Sequence, residues 1–220
     1  MRQYAIIHPR ASQLGITLPV VLLFLLIITI AASFGIRRAT LSEGLTRNQL
    51  DYEISRQAAE AALRDAERDI RLALASGSKP TGALCSRDDD RPIKGHTGLP
   101  NFDTNCPRGQ CRFALTYYQA SDWAASPASN PQPWWPTTGS KGGQWGDNKS
   151  ITDCSGFKGA VPLGTFTGSP KVQGVARQPE YIMEFMQRGT DAMVRITARG
   201  FGVDEATETV MQSYYRPYIN

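Results

Sequence analysis

Charge is missing from one long stretch of this sequence. Between Ala11 and Ile36 there is no charged residue, and Ile16 to Ile36 is almost purely aliphatic. The 21 positions of that aliphatic run span about 31 Å as a helix at ~1.5 Å per residue, the thickness of a bilayer hydrocarbon core. Histidine is nearly absent as well, with His8 and His96 the only two. No Ser/His/Asp spacing, paired metal ligands or glycine-rich phosphate loop occurs, so no catalytic residues are assigned and the chain does not read as an enzyme. Basic clusters interleaved with aromatics are lacking too. The net charge is a modest +4, with both signs alternating through the body, which argues against nucleic acid as a partner.

What is present begins with cysteine. Cys85, Cys106, Cys111 and Cys154 all follow the apolar run, and an even number beyond a membrane segment fits disulfides in an oxidising compartment. A zinc site is the competing reading, weakened because Cys106 and Cys111 lack a second close pair and only His96 is near. No metal or cofactor is therefore expected. Three connectivities are open. A Cys106–Cys111 bond would close a short loop over Pro107, Arg108, Gly109 and Gln110, leaving Cys85 for Cys154.

Residues 1–36 admit three readings. A secretory signal peptide has a shorter apolar stretch, although Ala31-Ala32-Ser33 offers a small-residue cleavage site. A plain anchor fits the length, but Arg2 and Arg10 on one side and Arg37 and Arg38 on the other leave topology undecided. The third reading takes residues 1–15 as a polar leader cut after Gly15, whose missing side chain permits close approach of a protease at the membrane face. Pro19 supports it. In an uncut helix its ring would clash at the Gly15 carbonyl, whereas after cleavage it sits in a first turn whose N–H groups lack partners anyway.

The helical pattern does not stop at Ile36. Leu41, Leu45, Tyr52, Ala59, Leu63, Ala66, Ile70 and Leu74 draw a narrow apolar stripe. Glu60 with Arg64 and Glu67 with Arg71 have i,i+4 spacing, Gly44 is a weak point, and Ser76 to Pro80 supplies stop signals. The pattern predicts a transmembrane helix over 16–36 and its amphipathic continuation over 37–76, together about 55–60 residues. An anchor followed by a stalk or coiled coil has the same periodicity.

Residues 77–220 form the expected head. Its middle, 81–179, is rich in Gly, Pro, Ser, Asp and Asn. Arg112 to Gln119 has strand character, and Trp123, Trp134, Trp135 and Trp145 read as core packing in preference to an adhesive, sugar-stacking surface. Asp88-Asp89-Asp90 reads as a solvated turn, because contiguous carboxylates do not make a calcium loop. From Glu180 the pattern turns β. Strands are expected over 181–186, 193–199 and 207–215 as an antiparallel meander, with Val194, Ile196 and Ala198 on one face. The predicted fold class is α+β: a lollipop with a long N-terminal helix packed on an antiparallel sheet.

Gly15 followed directly by the Ile16–Ile36 helix resembles the N-terminus of type IV prepilins and pseudopilins. Gln57, Ala58, Ala59, Glu60, Ala61, Ala62 and Leu63, continuing to Glu67, resemble the helix motif of PilX-type minor pilins. Val194 to Gly200 and Met211-Gln212-Ser213 resemble that family's closing strands. The resemblance implies cleavage by the prepilin peptidase between Gly15 and Ile16, N-methylation of Ile16, and a low-abundance subunit that helps start pilus assembly, in a tip complex with other minor pilins. It further implies contacts with the major pilin and the inner-membrane assembly platform, a periplasmic head before assembly, and a place at the cell surface afterwards, where motility and adhesion arise. Major pilins carry Glu as the fifth mature residue; here that position is Val20, which suits a terminal or initiating subunit. A minor pseudopilin of a type II secretion system and a membrane-anchored adhesin are the alternatives.

Overall fold

A computed structural model of the chain describes residues 17–74, 79–87, 101–112, 145–154, 156–188 and 191–216. Its first element is the helix α1, Thr17–Leu74, 58 residues long. Pro19 is the third residue of α1, inside the turn where a missing N–H costs nothing. Leu, Ala, Arg and Glu, all strong helix formers, dominate the rest. Exposed ion pairs decorate it, Arg47–Glu43 at 2.5 Å and Arg71–Glu67 at 3.1 Å. Glu60 pairs with Arg56 at 2.5 Å and not with Arg64, because Arg56 lies between two acids and also reaches Glu53 at 2.9 Å. Each such pair contributes a few tenths of a kcal/mol.

The chain divides into two units, Met1–Asn48 and Gln49–Asn220. Within the first, the described residues are helix alone, exposed at every position whose side chain is described. The second joins the remainder of α1 to a sheet of five strands: β1 Gln110–Cys111, β2 Val161–Pro162, β3 Glu180–Arg188, β4 Asp191–Phe201 and β5 Glu208–Tyr215. The last three form the expected antiparallel meander, with Tyr181 opposite Ala198 and Ala198 opposite Met211. The sheet as a whole is mixed, not purely antiparallel, because β1 runs parallel to β3. Both β1 and β2 line the outer edge of β3, β2 opposite Glu180 and Tyr181 and β1 opposite Met183 and Glu184. At two residues each, they are too short to leave a period-2 pattern in the sequence.

One face of the sheet packs on α1. Ala62, Ala66 and Ile70 meet Tyr181, Met183, Val194, Ile196 and Ala198, with Phe102, Val161, Phe166 and Cys85 closing the cluster. The stripe expected from the sequence holds for Ala59, Ala66 and Ile70, all fully buried. It does not hold for Leu45 and Tyr52, which are exposed, since the contact near Tyr52 is made instead by Asp51 and Ser55. The side chains of Leu41 and Leu74, and the expected strand beyond Arg112, lie outside the described residues. The opposite face of the sheet is buried as well, under a second cluster of Cys106, Cys111, Trp145, Ala160 and Ile182.

Candidate functional site

The first candidate surface is the apolar part of α1. From Leu18 to Ile36 its large side chains are 45–71 % exposed, and the helix is long and apolar enough to cross a membrane. Hydroxyls inside this stretch satisfy themselves. Thr29 donates to the Leu26 carbonyl at 2.8 Å and Ser33 to the Thr29 carbonyl at 2.7 Å, so no polar group there demands water. Val20 lies in the first turns and offers only hydrocarbon. Gly15 and Ile16 fall outside the described residues, as do His8, His96, Asp88-Asp89-Asp90 and Trp123, Trp134 and Trp135.

The second candidate is the seam between α1 and the sheet, built on the helix motif. Ala58, Ala59 and Ala62 are fully buried, Gln57 is exposed, and Glu60, Ala61 and Leu63 are half-buried. The alanines bring little apolar area; what they permit is proximity. β4 passes so close that a Cβ on Gly200 would run into the backbone of Ser55, Ala58 and Ala59.

Polar anchors flank this contact. Asp51 accepts from the Val203 N–H, and hydrogen bonds, that of the Thr207 hydroxyl foremost, hold its carboxyl below its ordinary pKa. Ser55 and Thr209 share a buried hydroxyl–hydroxyl bond at 2.6 Å. Asp65 accepts from the Gly164 N–H at 2.7 Å and from the Thr167 hydroxyl, and burial pushes its pKa up. Asp69 receives the Arg87 guanidinium through both oxygens, at 2.8 and 2.7 Å, and the Tyr181 hydroxyl at 2.8 Å. Arg87 also stacks over Phe166 at 3.7 Å. Burial, with Asp69 and Asp65 beside it, lifts the Tyr181 phenol well above its usual range.

The far face of the sheet carries two buried cross-strand ion pairs, Glu180–Arg199 and Glu184–Arg195, directly opposite one another in register. Arg177 closes on Glu180 at 2.7 Å. Burial raises both glutamates despite the arginines, Glu184 to about 7. The Glu184 Oε1 has no hydrogen-bond partner among the described residues. Trp145 packs here, 2 % exposed, with Arg199 5.1 Å from its ring.

The cysteines pair as Cys85–Cys154 and Cys106–Cys111. The second bond closes a loop in which Cys106, Arg108 and Gly109 all take left-handed φ values of 51°, 50° and 78°. Among the described residues no group of three or more His, Cys, Asp or Glu is placed to hold a metal.

The sequence reading did not single out Ser55, Asp69, Arg87, Glu180, Arg199 or Gly200 as anchors. One signal was available: Asp65 and Asp69 are four apart and share the buried face with Ala62 and Ala66. Acids on an apolar stripe need buried partners.

Comparison with known families gives two matches. Residues 83–217 match the family model described as Type IV pilus assembly protein PilX C-term, and residues 15–64 match the one described as PilX N-terminal. No curated protein and no solved structure matches.

Proposed function

The chain belongs to the PilX family of type IV pilus minor pilins, and on that premise we propose that it helps initiate pilus assembly as part of a tip complex with other minor pilins. The observation that carries this is the bare apolar helix, Leu18 to Ile36, fused without interruption to a helix locked into a folded head. Such a helix is stable only in lipid or against other apolar helices, the two environments an assembling subunit exchanges.

In this reading residues 1–15 are a leader removed by the prepilin peptidase, and Ile16 becomes the methylated N-terminus. Residues 16–36 anchor the subunit in the inner membrane and then pack among the helices of the major pilin and other minor pilins. The assembly platform extracts the subunit, whose head, residues 77–220, lies in the periplasm and then at the cell surface. Val20 fits a terminal position. A carboxylate there could reach the amino terminus of the next subunit, a contact of value in lipid, and valine cannot make it. No catalytic role is assigned.

The test takes membranes from cells with and without the peptidase, together with pilus counts in a deletion strain. A methylated peptide starting at Ile16, lost without the enzyme, with few pili in the deletion, is the expected result. A peptide starting near Met1 or after Ser33 would overturn the reading. Normal pili with failed protein secretion would point to a pseudopilus.

A further inference from the structure

An open cleft of about 590 Å³ lies on the head, within the ~300–1,000 Å³ typical of ligand sites. Residues 82–84, 149–151, 162–165, 168–171 and 178 contribute to its lining. Leu84, Ile151 and Leu163 give it an apolar body, and Lys149 and Lys171 stand on it; among the described residues no carboxylate and no aromatic ring lines it.

The cleft is firmly built. The Gln178 side chain clasps both the N–H and the carbonyl of Val172 at 2.9 Å, fixing the loop that presents Lys171. Asp65 of α1 holds Gly164 and Thr167. Cys85, disulfide-bonded to Cys154, donates its N–H to the Thr165 carbonyl at 2.8 Å. At Gly168, φ 72°, a Cβ would strike the Thr81 carbonyl oxygen, so two walls of the cleft touch directly. Lys149 shares its charge with Glu205 at 2.5 Å, whereas Lys171 has no ion-pair partner among the described residues.

We propose that this cleft docks an acidic segment of a neighbouring protein chain, its Asp or Glu facing Lys171 and Lys149 and its apolar side chains lying against Leu84 and Ile151. The proposal rests on the reading of the chain as an assembling subunit and names the contact by which its head selects a neighbour. Charge complementarity sets the sign of the partner.

The test is photo-crosslinking in living cells with the full chain carrying Leu84→p-benzoylphenylalanine, followed by mass spectrometry of the adduct. The expected adduct is a peptide of a co-assembled pilus protein with Asp or Glu beside the crosslinked residue. Adding Lys171→Glu, at an exposed position without an ion-pair partner among the described residues, should reduce its yield about fivefold or more. No adduct, an adduct to a glycan or lipid, an adduct to a segment without acids, or a yield indifferent to Lys171→Glu would each overturn the proposal. An acidic segment from a protein outside the pilus would keep the cleft's chemistry and sink the pilus reading. No adduct from the parent chain, in cells where its deletion still removes pili, would sink the cleft alone.

Discussion

Gly200→Ala is the sharpest perturbation of the seam between α1 and the sheet. The added methyl would meet the carbonyl oxygen of Ser55, the amide nitrogen of Ala59 and the carbonyl carbon of Ala58. All three are backbone atoms of a packed helix, so none can swing away as a side chain would. Either β4 bends or α1 retreats by roughly an ångström. Over-packing of this kind costs about 1–3 kcal/mol. The retreat also thins the contacts of Ala58, Ala59 and Ala62, all fully buried, and lost dispersion adds to the cost. The sum is about 3 kcal/mol.

Urea unfolding of the full chain in detergent micelles, followed by tryptophan fluorescence, reads this directly, since Trp145 is buried in the head. With a slope of about 2 kcal/mol/M, the midpoint should fall by about 1.5 M. Gly44→Ala is the control. A Cβ there meets nothing within 4 Å, and helix propensity predicts a gain of up to about 1 kcal/mol. A Gly200→Ala midpoint within about 0.3 M of the parent would refute the close-approach reasoning.

Three further outcomes are expected. Asp69→Ala strips the partner from buried Arg87 and from the Tyr181 hydroxyl and should cost about 3–5 kcal/mol in the same assay; a loss below about 1 kcal/mol would show the pair to be solvated. Replacing Cys85 and Cys154 with serine releases a 69-residue separation, and replacing Cys106 and Cys111 a 5-residue one. Loop entropy predicts losses of about 4 and about 2 kcal/mol, so the reverse order of midpoints would contradict it. Glu184 is raised to about 7 when folded, above its ordinary value of 4.5, so the folded state holds its proton longer than the unfolded chain. Its contribution is complete below pH 4.5 and is lost as pH rises toward 7, by at most about 3 kcal/mol. Glu184→Gln should flatten the fall in melting temperature between pH 5 and pH 8, and parallel curves for parent and variant would rule the effect out.

The helix and the meander were legible because each repeats a local rule. An aliphatic run of bilayer length, an Ala/Leu/Arg/Glu continuation and the alternation at Val194, Ile196 and Ala198 need no knowledge of distant residues. Even the strand ends were close, β4 extending to Phe201 where the pattern marked Arg199. The anchors were hidden because their meaning is non-local. Asp65 finds Gly164 and Thr167 at sequence separations of 99 and 102, and Asp69 finds Tyr181 at 112. Tyr52 was misplaced for the converse reason: periodicity marks it as apolar-striped, but the partner elements meet that turn through Asp51 and Ser55. β1 was invisible because a two-residue strand is defined only by the β3 edge it lines. Gly200 closes a strand that alternation identifies, yet only the neighbouring helix explains why the residue is glycine.

The anchors on α1 also have a mechanical meaning. Asp51, Ser55, Asp65 and Asp69 are strung over 19 residues, about 27 Å of helix axis, each bonded to a different part of the head. Tension along the axis therefore reaches all of them in shear, and they must break together. A sideways pull would peel them one after another. A helix held this way resists axial pulling far better than peeling, and its weakest direction is perpendicular to its own axis.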